Sequence, residues 1–269
     1  MFKVVKRTHE PRWFPVLQGE TIYVGQLVSM GLTTAGYGVK ALGAASGAGG
    51  VGSDVVPWGV VTGINNKVMT YNSTYHTYST LGVQSQASQV ARITSPAFVG
   101  VEGFSKADPM PYVLVDRLDS TTQIKGTIFN ATYGTAITKY TNTTQSTTGA
   151  AVTTAAVGNT PLGYNKILYA IDGKNAGLYR GEGSGTSTTS HVPDTYWPYD
   201  VEEGDKFKIV FLSLGTVKAQ FDTASTCIIA EPDCSSNYWW LDVDLINLEK
   251  DGEEYAIFRF NPLTFLGVR

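Results

Sequence analysis

The residues best able to do chemistry are few and scattered along 269 positions. His9, His76 and His191 are the candidate bases for a Ser/His/Asp triad, which needs nucleophile, base and orienting acid brought together by the fold. His9 lies in a basic segment flanked by proline, His76 among Tyr, Ser and Thr, and His191 after a Ser/Thr loop. No GxSxG elbow is present, and each His is read as a surface or interface residue. Cys227 and Cys234 have no nearby His and no second pair, which argues against zinc. A disulfide between them is geometrically possible and would form only in an oxidising medium. Asp194, Asp200, Glu202, Glu203 and Asp205 lie beside Tyr196, Trp197 and Tyr199. Two carboxylates near aromatic rings are what a glycosidase cleft uses; a solvated acidic turn before a strand explains them more simply. Asp242 and Asp244 share one strand face and could hold a cation, or merely form its wet side. The glycine-rich run 43–54 lacks the GKS or GKT ending of a phosphate-binding loop. The expectation is a binding protein rather than an enzyme, with no cofactor and no metal.

Lys plus Arg is 20 and Asp plus Glu is 23, a net charge of -3. Such a balance argues against bulk nucleic-acid binding, which needs many phosphate-neutralising cations, and against anionic membranes. No window approaches the ~18 apolar residues of a membrane span. The N-terminal residues have no signal-peptide apolar stretch, so synthesis in the cytoplasm without secretory export is expected. Only 16% of residues are charged, and neutral surface is often interface surface.

The elements that must carry these residues are short apolar runs between turn residues, with no sustained 3.6-residue period. An all-β protein with little helix is expected: an N-terminal β-barrel or β-tulip-like domain, then a second β-rich region. Residues 1–15, punctuated by Pro11 and Pro15, read as an extended arm. Residues 16–140 form the first β domain, 141–160 a low-complexity hairpin or linker, and 161–269 the second β region. Lys206–Leu214 reads as a half-buried strand, with Phe207, Ile209 and Phe211 alternating with Lys206, Lys208 and Val210. Residues 241–260 read as a hairpin whose last strand turns Ala256, Phe258 and Phe260 to one face. Tyr71, Tyr75 and Tyr78 are candidate contact residues or one face of a packed hairpin. Trp239 and Trp240 are adjacent on an apparent strand, so one should point inward and the other toward a partner.

The run Gly19-Glu-Thr-Ile-Tyr-Val-Gly-Gln-Leu-Val28, the Gly-rich loop, and Val56-Pro-Trp-Gly-Val-Val-Thr-Gly-Ile64 resemble tailed-bacteriophage capsid decoration (cement) proteins. Gly177–Gly181 and Tyr196–Asp205 resemble phage virion proteins more loosely. The resemblance implies a virion protein on the outer capsid surface that bridges major capsid protein subunits against internal DNA pressure. It also implies contacts with neighbouring copies of itself, many small contacts being multiplied by symmetry. An arm carrying Phe2, Arg7, Arg12, Trp13 and Phe14 could then add a strand to a neighbour's sheet edge. Other virion positions (tail tube, head vertex, fibre base) and a carbohydrate-binding or carbohydrate-hydrolysing β protein are the alternatives.

Overall fold

The computed structural model describes residues 1–17, 20–33, 36–43, 56–64, 68–72, 77–81, 92–94, 112–158, 165–182, 187–232 and 238–265. The structure is nearly all β, 48% strand and 2% helix, so the all-β expectation holds. The first strands are β1 (Phe2–Lys6), β2 (Arg12–Pro15), β3 (Thr21–Tyr23), β4 (Leu27–Thr33), β5 (Gly36–Ala41) and β6 (Gly59–Ile64). Next come β7 (Val68–Asn72), β8 (Thr77–Leu81), β9 (Arg92–Thr94), β10 (Tyr112–Arg117), β11 (Gln123–Phe129), β12 (Lys139–Thr141) and β13 (Val152–Thr153). The chain continues through β14 (Lys166–Ala170), β15 (Tyr179–Glu182), β16 (Ser190–His191), β17 (Lys206–Val210), β18 (Gly215–Ala219) and β19 (Ile228–Ile229). It closes with β20 (Trp239–Asn247), β21 (Tyr255–Phe260) and one helical turn, α1 (Pro262–Phe265).

Three sheets organise the body. The largest runs β1-β11-β21-β20-β18, with β19 pairing parallel to β11. A second runs β2-β10-β6-β4-β5, and a third β12-β17-β14-β15. Pairs β13–β16, β3–β9 and β7–β8 complete the set. No closed barrel forms among the described residues, which corrects that part of the expectation. In the second sheet a single bridge, Val16–Val39, brings the chain just after β2 to β5, and no continuous ladder seals the gap.

The hairpin β20–β21 shows how pattern becomes packing. Ala256, Phe258 and Phe260 are buried while Tyr255, Ile257 and Arg259 are partly exposed. The inward residues join Leu241, Val243 and Trp239 in the main core. Fully burying one such large side chain contributes about 1.5–3 kcal/mol, so strict alternation fixes which face turns in.

Residues 1–15 are extended but are not a free arm. β1 pairs with β11 and β2 with β10, so each half of the segment is built into a different sheet. Nor does 141–160 separate two halves. Val152 and Val157 pack with Tyr140, Leu168, Trp197 and Phe207. Asn142 ties its segment to the loop before β17, donating from Nδ2 to the Glu202 carbonyl at 2.8 Å and accepting at Oδ1 from the Thr153 N–H at 2.8 Å. The main core joins Leu27, Leu42 and Val60 from the first half to Phe258 and Trp239 from the second.

Candidate functional site

The residues expected to touch a partner divide sharply by position. Phe2 is 3% exposed, with its ring 5.2 Å from Phe221 and 6.1 Å from Phe258. It is a core anchor, which corrects its reading as a contact residue. Gly126 lies beneath it, where a Cβ would come within 2.7 Å of the ring. Arg7 holds the buried carboxylate of Asp116 at 3.0 Å. Arg12 is exposed and opens β2, an end strand of its sheet. Trp13 is 51% exposed and lies opposite Leu114, while exposed Tyr112 lies opposite Pro15. Phe14 turns the other way, edge-on to Trp58 at 4.3 Å.

Tyr71 and Tyr78 are backbone partners in the β7–β8 register; Tyr75 lies outside the described residues. Trp239 is 2% exposed, beside Phe221 and Phe260, and belongs to the core. Its neighbour Trp240 takes the outer face, with the Lys218 ammonium 5.5 Å from its ring and Tyr238 at 5.7 Å.

The acid-and-aromatic run 194–205 splits in the same way. Trp197 is buried against Phe207 at 5.4 Å, with the Arg180 guanidinium 5.4 Å from its ring. Tyr196 and Tyr199 are exposed. Glu202 pairs with Lys174 at 2.7 Å, and Asp205 accepts from the Glu202 N–H at 3.0 Å. Asp242 accepts from Thr216 Oγ1 at 2.6 Å and Asn261 Nδ2 at 2.9 Å. Asp244 pairs with Arg259 at 2.8 Å. Among the described residues no group of three or more His, Cys, Asp or Glu side chains is arranged to hold a metal ion. Burial, together with the Asp222 charge, pushes the Cys227 thiol upward; Cys234 lies outside the described residues.

His9 lies 3.2 Å from Asp119 at the surface, and His76 lies outside the described residues. His191 is fully buried, which corrects its surface reading. It belongs to a cluster that the sequence does not announce. Lys166, Glu182 and His191 lie together in the interior, with Lys166 Nζ 3.3 Å from Glu182 Oε2 and His191 Nδ1 3.3 Å from the same oxygen. A second buried cluster joins Lys208 Nζ to Glu254 at 2.7 Å and Asp251 at 2.8 Å. The half-buried reading of 206–214 is corrected accordingly, because Lys208 is 1% exposed. The available signal was a lysine beside or inside an apolar run: Lys166 precedes residues 167–171, and Lys208 falls between Phe207 and residues 209–212.

A partly buried polar contact runs from Tyr140 Oη, which donates to Glu231 Oε2 at 2.8 Å. Burial pushes the Glu231 carboxyl above its ordinary value, and the Tyr140 hydrogen bond only partly opposes this.

Compared with known proteins, the chain matches no family model, no curated protein and no solved structure. Among the described residues no helix is long and apolar enough to cross a membrane.

Proposed function

We propose that this chain is a structural virion protein that binds the outer surface of a phage capsid and stiffens the shell by bridging major capsid protein subunits. Two things support the reading. The first is the resemblance carried by residues 19–28 and 56–64, in which Gly25 and the buried Gln26 amide have structural jobs. Gly25 adopts φ 78°, a left-handed conformation that favours glycine. Gln26 is buried, accepts from the Tyr23 N–H at 2.9 Å and donates to the Ala224 carbonyl at 2.6 Å. The motif thus clamps the β3–β4 turn to the 222–225 loop.

The second, which carries the proposal, is Trp13. A large ring half in water, on a strand paired into a sheet and on the same face as exposed Tyr112, suits an interface anchor. Its backbone is already paired with β10 before any partner arrives, so ordering of the strand does not oppose association. Arg12 and Trp13 remain available from the original set of contacts, while Phe2 and Trp239 support the body behind them.

The test is co-sedimentation with expanded capsids, followed by cryo-electron microscopy. Saturable binding at regular positions on the outer shell, weakened at least tenfold by Trp13→Ala, is the expected result. Density only in the tail or at one vertex would move the protein to another virion position. No association with particles at all would overturn the proposal.

A further inference from the structure

The two buried lysines are held in different ways. Lys208 Nζ donates to the Leu248 carbonyl at 2.6 Å and Glu254 Oε1 at 2.7 Å, and lies 2.8 Å from Asp251 Oδ1. Three short acceptors match the three protons of an ammonium. Lys166 has one such acceptor, the Ser187 carbonyl at 2.9 Å. Its carboxylate neighbour stands back: Nζ is 3.4 Å from Glu182 Oε1 and 3.3 Å from Oε2. Charge-assisted hydrogen bonds are normally about 2.7–2.9 Å long. The Lys166 nitrogen therefore contacts both oxygens of the carboxyl group at long range, with no short ionic hydrogen bond holding it to either.

The surroundings fix this approach. Lys166 and Glu182 are direct cross-strand partners on β14 and β15. Their side chains are 0% and 5% exposed, and the Phe211 ring lies 5.6 Å from Nζ. His191 supplies a third group. Thr154 Oγ1 donates to the Ala155 carbonyl at 2.8 Å, so its single proton is committed. Its 3.2 Å contact with His191 Nε2 must then run from the ring N–H to the hydroxyl oxygen. A neutral ring protonated on Nε2 carries its lone pair on Nδ1. That atom lies 3.4 Å from Lys166 Nζ and 3.3 Å from Glu182 Oε2, and the 3.3 Å Nζ–Oε2 contact closes the triangle, so Nδ1 is within reach of both the nitrogen and the oxygen that would leave.

We propose that Lys166 and Glu182 condense into an intramolecular amide, with His191 as the proton carrier. One ammonium proton passes to the carboxylate, leaving an amine and an acid. Nζ attacks the Glu182 carboxyl carbon, and His191 Nδ1 takes a second proton from the nitrogen. The carbon–oxygen bond breaks, His191 returns that proton to the departing hydroxyl, and water leaves. One nitrogen–carbon bond forms, and neither oxidant nor co-reactant is needed. The product replaces two buried charges, which are costly to keep from water, with a neutral link across the β14–β15 hairpin. A sealed interior also hinders the reverse hydrolysis. This inference stands independently of the capsid reading.

Mass spectrometry of the folded full chain tests it. The intact mass should fall short of the sequence mass by one water, and Lys166→Arg should restore the full mass. Asp172-Gly173 and Asp251-Gly252 could each lose water by succinimide formation, so tryptic mapping decides. The amide blocks cleavage after Lys166 and joins peptide 140–174 to peptide 181–206. Finding that linked pair supports the proposal even if the arginine variant does not fold. The full sequence mass, or water loss without the linked pair, overturns it and leaves a buried ion pair. In His191→Gln, refolded and sampled over time, linkage should slow about 100-fold; an unchanged rate would remove His191 from the step.

Discussion

Replacing Lys208 by Met tests how the interior tolerates its charges. Lys208 and Glu254 are 1% and 2% exposed, and Glu254 Oε2 already lacks a hydrogen-bond partner. Without the ammonium, Glu254 Oε1 loses its donor as well, and the Leu248 carbonyl loses a 2.6 Å hydrogen bond. Asp251 fares differently: it is 59% exposed and keeps Lys139, so water and that partner compensate it. The cost therefore falls mainly on one stranded carboxylate. Breaking a buried pair in this way costs about 3–5 kcal/mol. For 269 residues, at about 2 cal/mol/K of unfolding entropy per residue, the melting temperature should fall by about 5–9 °C. Urea denaturation of wild type, Lys208→Met, Glu254→Leu and the double variant gives the coupling directly. The double variant should recover to within about 2 kcal/mol of wild type, because the uncompensated charge is gone. A single variant within about 1 kcal/mol of wild type, or a double variant as unstable as the sum of the singles, would refute the reasoning.

The remaining predictions concern packing, titration and the exposed ring. At Gly59 a Cβ would sit 2.1 Å from Val115 Cγ1 and 2.9 Å from the Asp116 carbonyl oxygen, whereas at Gly63 the nearest contact is Leu114 Cβ at 3.3 Å. Gly59→Ala should cost about 3 kcal/mol and Gly63→Ala under about 1 kcal/mol by denaturation; equal costs would contradict the geometry. Glu231 has a raised folded-state pKa, so its contribution is fully present below its unfolded value and declines as pH rises above about 4.5. Glu231→Gln, which still accepts from Tyr140, should gain about 1 kcal/mol at pH 7 and flatten stability between pH 4 and 7; an unchanged pH profile would exclude that origin. Trp13→Ala should stay within about 1 kcal/mol of wild type in the same assay. Loss of capsid binding could then be assigned to the interface rather than to unfolding.

The sequence makes legible whatever depends on near neighbours. Tyr255–Phe260 alternates strictly, and its faces fall where the alternation puts them. Trp239 and Trp240 divide between core and outer face because adjacent strand residues must diverge. The N-terminal segment was illegible for the opposite reason. Phe2 faces Gly126 across β1 and β11, a pairing of residues more than a hundred positions apart that no local pattern encodes. Basic residues and two prolines imitate a free arm, although strands with these features pair well at a sheet end. Residues 141–158 misled through size: their small side chains suggested a linker, yet Val152 and Val157 were enough to bind the segment to a core.

The buried lysines mark where alternation itself fails. In β14, Ile167 and Tyr169 enter one core while Leu168 and Ala170 enter another. A strand covered on both sides has no solvent face, so it should read as a continuous apolar run. Lys166 opens such a run and Lys208 interrupts one, and the local pattern wrongly sends both to water. Once the strand is covered, the physical requirement reverses, and each ammonium needs acceptors inside the protein. Glu182 and Glu254 meet that need from elsewhere in the chain, at the edge of a sheet and after a turn. A lysine on a strand covered on both sides therefore needs a buried carboxylate that must be found in three dimensions. Among the described residues Lys166 and Lys208 each have such a carboxylate, but the contacts differ: Lys208 has three acceptors within 2.8 Å, whereas Lys166 has one at 2.9 Å and its carboxylate at 3.3–3.4 Å.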